Sequence, residues 1–208
     1  MNDTDPNNTL APANATSNSA WIRIPTRHKP ETLKTFCDDI EAIIRVNPYY
    51  VFKSFDKSGG DAYQLEFENL SNLQHVNVAI KVKRTSNQEL IIHYDSGIKR
   101  RTVLSIEPSD IGSTLIIVED YDGLSDQEQE QHKDEVDKSL NAWGTSLFAY
   151  FGRFRRWSWI PGWRWYTRRV WIPMKPQARR ITNMLLLIEV SFFGLFLFSM
   201  LIWWVEFH

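Results

Sequence analysis

Apolar and polar residues alternate with a period of two through the middle of this chain. Tyr63, Leu65 and Phe67 fall on one side and Gln64, Glu66 and Glu68 on the other. Val76, Val78, Ile80 and Val82 repeat the scheme against Asn77, Lys81 and Lys83. Because successive strand side chains point to opposite faces, such runs predict half-buried strands. Tyr50 to Phe55, Leu90 to Tyr94, Thr102 to Ile106 and Leu115 to Val118 complete a series of six, separated by Ser58-Gly59-Gly60-Asp61, Ser86-Asn87, Ser96-Gly97 and a turn from Pro108 to Gly112. Consecutive strands joined by short turns of this chemistry predict an antiparallel meander. A shorter alternation, Trp21-Ile22-Arg23-Ile24, ends at Pro25 and predicts a first strand at a sheet edge.

On either side of the meander the period becomes helical. Leu33, Phe36, Cys37, Ile40, Ile43 and Ile44 recur at steps of three and four, predicting a helix pair bent near Asp38 and Asp39 that stops before Asn47-Pro48-Tyr49. Proline disfavours a helical conformation at its predecessor. After Asp122-Gly123, Ser125-Asp126-Gln127-Glu128 has the form of a capping box. The helix it opens is polar for three turns, then carries a stripe through Val136, Leu140, Trp143, Leu147, Tyr150, Phe151 and Phe154.

A third kind of pattern closes the chain. Met184 to Val205 is almost uninterruptedly apolar; as a helix it is about 33 Å long, matching a hydrocarbon core of about 30 Å. Its one charge, Glu189, lies toward an end of the span and is offset by the Leu, Ile, Phe and Val residues around it. The span is therefore expected to be a single transmembrane helix, a tail anchor. Gly194 stands alone, without the Gly-x-x-x-Gly spacing of a close helix crossing.

Before the span, residues 155–183 combine Arg155, Arg156, Arg164, Arg168, Arg169, Lys175, Arg179 and Arg180 with Trp157, Trp159, Trp163, Trp165, Tyr166 and Trp171, and contain no acidic residue. Lys and Arg beside a membrane helix stay on the cytoplasmic side, and indole rings settle at headgroup level. The stretch is expected to be an interfacial collar touching membrane lipids, with Trp157, Trp159, Trp163, Trp165, Trp171, Arg179 and Arg180 at the interface and the N-terminal domain in the cytoplasm. Two other readings compete: tryptophans packed into the globular core, and binding of single-stranded nucleic acid, which the adjacent span disfavours.

Composition adds three points. Over 208 residues the net charge is −1, a near balance that hides an acidic body and a basic collar. The single Cys37 excludes an intramolecular disulfide and a cysteine-rich zinc site, and its helical position suits a small buried hydrophobe. Residues 1–20, rich in Asn, Thr, Ser and Ala, carry no apolar period and predict a solvated tail. The Asn2-Asp3-Thr4 and Asn14-Ala15-Thr16 glycosylation patterns mean nothing in a cytoplasmic tail.

One short strand, a helix pair closing with Asn47-Pro48-Tyr49, six antiparallel strands and an amphipathic last helix with Trp143 and Leu147 together resemble the START-like superfamily, over roughly residues 21–154. The resemblance lies in element order and has no short diagnostic motif. It implies an α+β, helix-grip fold in which an antiparallel sheet curves around the long C-terminal helix and leaves an apolar cavity for a lipid, a sterol, a quinone or a polyketide. On that reading Tyr63, Leu65, Phe67, Val78, Ile80, Ile92, Trp143 and Leu147 line or adjoin the pocket, and the protein binds or transfers a hydrophobic small molecule without cofactor or metal.

His28, His75, His93 and His132 show no metal-ligand spacing. One polar group could do acid-base work: His93 and Asp95 on one strand, with Arg101, Ser105 and Glu119 on neighbouring ones. The parity of that strand favours His93 and Asp95 on the solvent face, with Leu90, Ile92 and Tyr94 inward. An enzyme acting on a hydrophobic substrate, cyclase- or dehydratase-like, and a membrane scaffold with a filled cavity are the alternatives.

Overall fold

In the computed structural model, residues 11–207 are described apart from 13, 17, 87–88 and 122–125, with backbone alone for 86, 126–137 and 207. The chain runs through β1 (Ser19–Thr26), α1 (Pro30–Cys37), α2 (Ile40–Arg45), β2 (Tyr50–Gly59), β3 (Ala62–Asn69), β4 (Gln74–Ser86), β5 (Glu89–Tyr94), β6 (Arg101–Ser109), β7 (Gly112–Asp120) and the long α3 (Asp126–Trp157). A short helix α4 (Trp163–Tyr166) passes into a π-helical stretch (Thr167–Trp171), and α5 (Pro176–Phe207) ends the chain. Ser125, which opens the expected capping box, lies outside the described residues, as do the side chains of Val136 and His132 of the expected stripe and histidine set.

The seven strands form one antiparallel sheet in the order β1-β7-β6-β5-β4-β3-β2. Register follows the alternation: Tyr63, Leu65 and Phe67 pair with Ile80, Val78 and Val76, so two apolar rows share one face. That inner face meets α1, α2 and α3 in one core holding Ile43, Ile80, Ile92, Leu115, Ile117 and Leu147 at essentially zero exposure. Helix and sheet grip each other as expected. α3 can lie close on β1 because Gly144 has no side chain there: a Cβ would stand 2.3 Å from Ile22 Cδ1.

Three features differ from the sequence expectation. β1 begins at Ser19 and continues through Pro25, which the edge position tolerates because no further strand needs its N–H. Segment 11–18 is not wholly solvated, since Asn14 Nδ2 donates to Glu89 Oε1 at 2.8 Å and Ala15 packs on Val103, Ile116 and Val118 on the outer sheet face. α5 starts at Pro176, well before Met184, so Arg179 and Arg180 belong to the same helix as the apolar span.

The α1–α2 break falls where the acidic pair predicted it. Asp39 caps α2, its Oδ1 accepting from Ala42 N at 3.2 Å. Cys37 is buried, and burial, with Asp38 adding to it, pushes its thiol up to about 12, so it packs as a hydrophobe.

Candidate functional site

Between the inner sheet face and α2 lies a cavity of about 150 Å³. Its wall is apolar: Ile44 from α2, Leu65 and Phe67 from β3, Val76 and Val78 from β4. The exposed residues Gln74, Ser96 and Gly97 stand at its opening. Another part of the lining is polar and comes from five separate segments: Tyr50 at the start of β2, Tyr94 at the end of β5, Lys99 in the β5–β6 connection, Tyr121 just after β7 and Ser139 of α3. Strand parity explains why these converge. Tyr94, Thr102 and Glu119 occupy inner-face positions on three adjacent strands, continuing the apolar rows of Ile92, Leu104 and Ile117.

The polar end is organised around Glu119, which has no measurable exposure. Its Oε1 accepts from Lys99 Nζ at 2.5 Å and its Oε2 from the Tyr121 hydroxyl at 2.6 Å. Lys99 Nζ also donates to the Tyr50 hydroxyl at 3.2 Å, and the Tyr94 and Thr102 hydroxyls bond at 3.2 Å. A buried carboxylate without partners would be strongly disfavoured, and here two donors meet it directly.

The titrating groups respond accordingly. Burial works against the Lys99 ammonium, but the Glu119 carboxylate, and after it Tyr50, Tyr121 and Tyr94, outweighs burial and holds its pKa well above the ordinary lysine value. Burial raises Tyr94 to about 12, and it raises Tyr121 further with help from the neighbouring Glu119 charge. The cluster is thus an ion pair flanked by two hydroxyls, Tyr94 and Tyr121, that burial keeps protonated.

The sequence-predicted pocket residues divide into two groups. Leu65, Phe67 and Val78 line the cavity. Tyr63 packs on Phe55 at 5.6 Å between ring centroids, while Ile80, Ile92 and Leu147 lie in the surrounding core at zero exposure. Trp143 is committed to structure, its Nε1 donating to Ile43 O at 3.0 Å and tying α3 to α2. His93 and Asp95 face solvent, Asp95 Oδ1 accepting from Ala79 N at 2.9 Å, and Arg101 pairs with Asp120 at 2.7 Å on the outer face. Ser105, on β6 between Leu104 and Ile106, points away from the cavity. Of that constellation only Glu119 is tied to the cavity, from behind its wall, through Lys99 and Tyr121, which line it. Lys99, Tyr50, Tyr121 and Ser139 were not singled out from sequence, although the inward parity of Tyr94 was legible.

The basic, tryptophan-rich stretch is folded rather than laid out flat. Trp159 and Trp165 are 78 % and 65 % exposed, and Trp157 and Arg180 are exposed as well. Trp163 stacks near Trp157 at 5.8 Å, and Trp171 sits between Tyr150 and the guanidinium groups of Arg153 and Arg179. Arg179 does not stand at the surface: it is 7 % exposed, its Nε donating to Trp171 O and its Nη2 to Arg45 O and Ile172 O, at 3.1, 2.8 and 2.5 Å. Beyond it, Pro176–Glu206 is long and apolar enough to cross a membrane, with mean hydropathy 2.4 and none of its most apolar window covered by the rest of the protein.

Two larger depressions, about 360 and 340 Å³, run along the C-terminal half of α3 and share His28 and Phe151. What distinguishes the 150 Å³ cavity is its chemistry, since it alone of the three is lined by Lys99, the partner of buried Glu119.

No known family profile matches this chain, and no curated protein matches it. Solved structures do resemble it. A protein from Thermobifida fusca is 15 % identical with a TM-score of 0.50, over 65 % of this chain and 94 % of that one. A START superfamily protein from Mycobacterium smegmatis is 16 % identical with a TM-score of 0.49, over 65 % and 97 %. A protein from Arthrobacter aurescens is 10 % identical with a TM-score of 0.49, over 65 % and 87 %. With the element order and sheet topology above, the fold is START-like, and at these identities the likeness concerns fold alone.

Proposed function

We propose that this START-like domain binds a hydrophobic small molecule and is held at a bilayer by its own C-terminal helix, with the domain on the cytoplasmic side. The observation that carries the reading is the coexistence, in one chain, of an apolar cavity reaching into the sheet–helix cleft and an uncovered apolar helix of membrane length. An apolar surface of that extent in water would aggregate or seek a partner; a bilayer covers it without either. Exposed Trp159 and Trp165, together with Arg155, Arg156, Arg169 and Arg180, suit the headgroup layer and an anionic leaflet.

Tethering would raise the effective concentration of a poorly soluble ligand around the cavity. At about 150 Å³ the cavity accommodates a ring or a chain end, with the remainder of a longer lipid, quinone or polyketide extending through the opening. The enzyme reading loses its His93–Asp95 pair, which faces solvent. The scaffold reading requires a filled cavity, against which the open volume speaks.

Native mass spectrometry of the detergent-purified full chain, followed by organic extraction, tests the proposal. The expected result is a stoichiometric apolar molecule, or uptake of an added apolar probe competing with one. A protein that carries nothing and accepts no such probe overturns it.

A further inference from the structure

A donor count at the polar end of the cavity narrows the ligand. Both Glu119 oxygens are engaged, one by Lys99 and one by Tyr121. The ammonium of Lys99 has three N–H groups, of which one meets Glu119 and one the Tyr50 oxygen; the third has no partner among the described residues. The Tyr50 hydroxyl is used there as an acceptor, and its own proton likewise has no acceptor among the described residues. Ser139 is 6 % exposed, lines the cavity, and its Oγ has no hydrogen-bond partner among the described residues. Buried polar groups in folded proteins are almost always satisfied, so the unpaired Ser139 hydroxyl, in the same lining as the spare N–H of half-buried Lys99, points to a missing acceptor.

Charge decides which acceptor. Lys99 and Glu119 cancel, so an incoming anion would be buried beside the Glu119 carboxylate with no net positive charge to receive it. A neutral oxygen meets the donors at no such cost. Size supplies the other limit, because a cavity of about 150 Å³ holds a benzene-sized group.

Building on the ligand-binding reading above, we infer that the cavity takes a single ring, or an apolar group of similar size, bearing a neutral carbonyl or hydroxyl oxygen that accepts hydrogen bonds from the Lys99, Tyr50 and Ser139 end. The bulk of a larger ligand leaves past Gln74, Ser96 and Gly97.

Three small probes of similar shape test this on the full chain in detergent by ligand-observed NMR: ethylbenzene, acetophenone and benzoate. Acetophenone is expected to bind about tenfold more tightly than ethylbenzene, as one charge-assisted hydrogen bond allows, and benzoate more weakly than acetophenone. In Lys99→Met/Glu119→Gln, which removes both charges together, the acetophenone-to-ethylbenzene ratio falls toward one. Ser139→Ala lowers the same ratio about threefold and loses no hydrogen bond to a described residue, so it remains informative if the double variant fails to fold. Equal binding of ethylbenzene and acetophenone to the natural chain overturns the inference but leaves a ligand-binding cavity. Tightest binding by benzoate overturns it in favour of an anion site. Binding of none of the three, with no co-purified molecule, overturns both readings.

Discussion

Two cations withdrawn from solvent, Lys99 in the hollow of the sheet and Arg179 at the root of the C-terminal helix, are satisfied by opposite means. Lys99 faces a carboxylate and one hydroxyl, an arrangement that neutralises its charge yet leaves a donor over. Arg179 faces three backbone carbonyls, from α2 and from the segment preceding α5, and pairs with no carboxylate among the described residues. A guanidinium is a planar fork suited to several fixed acceptors, and here the fork is spent on structure. An ammonium is a compact charge with three rotatable donors and can keep one for a ligand. The difference separates a binding end from a junction, although each residue sits in a short run of Lys and Arg that looks alike in sequence.

The largest effect is expected at the cavity. Glu119→Gln leaves Lys99 largely buried without a counter-charge and should cost about 3 kcal/mol, read by chemical denaturation in detergent. Lys99→Met/Glu119→Gln should recover more than half of that, since removing both partners avoids the stranded charge. No recovery would mean that the two residues are not coupled. Alkaline pH attacks the same cluster. The folded pKa of Lys99 is raised, so its stabilisation is complete below the unfolded value of about 10.4 and is lost as pH rises through the higher folded value. Tyr94, at about 12, and Tyr121 act in the same direction, because unfolded tyrosine ionises near about 10. Stability contributed by the cluster should therefore hold from pH 7 to about 9 and decline above about 10. Persistence of full stability at pH 12 would contradict the cluster as described.

At the junction, Arg179→Leu strands three carbonyls and should cost about 2 kcal/mol, together with faster proteolysis between residues 158 and 176. Arg179→Lys should recover only part, because a point charge cannot span three acceptors. Acetophenone affinity should be unchanged in either variant; a loss as large as that in Lys99→Met/Glu119→Gln would erase the distinction between the two sites. Gly144→Ala strikes both regions together, since α3 carries Ser139 on one side and Tyr150 and Arg153 on the other. The added Cβ must displace Ile22 Cδ1, the mobile end of a side chain, and should cost about 1 kcal/mol by thermal melting.

The contrast between these regions also explains what could be read from sequence. Strand parity is a rigid rule, so the inward row of Tyr63, Leu65 and Phe67, the outward His93 and Asp95, and the helix break at Asp38-Asp39 were all legible. Lys99 was not, because Lys99-Arg100-Arg101 follows Ser96-Gly97 and has the composition of a solvated turn. Only the register of β6 with β7, Thr102 opposite Glu119, reveals that this turn overhangs an inner-face carboxylate. Glu119-Asp120 hid the same fact, for in one strand neighbouring acids point to opposite faces: Glu119 to Lys99 and Asp120 to Arg101. Arg179 was concealed by its company. Among many cations in a short stretch, the one that turns inward is set by where the α2 carbonyls happen to lie, a long-range fact without local period.

The smallest effect is expected where α2 meets the π-helical stretch, at an ion pair that resembles neither Lys99 nor Arg179. Arg168 Nη2 reaches Asp39 Oδ2 at 2.6 Å, but the Arg168 side chain is 56 % exposed, and pairs of this kind contribute from about zero to 1 kcal/mol and weaken with salt. Asp39 also caps α2 through its other oxygen, so its two duties can be separated. Asp39→Asn keeps an acceptor for Ala42 N and removes the charge; its cost should stay below about 0.5 kcal/mol and vanish at 1 M salt. Asp39→Ala removes the cap as well and should cost about 1 kcal/mol more, independent of salt. If instead Asp39→Asn were as costly as Asp39→Ala, the pair with Arg168 would be a second strong fastening between the domain and the segment leading to α5. The junction would then depend on charge as the cavity does, and the opposition between a cation spent on backbone and a cation held by a carboxylate would no longer divide the molecule.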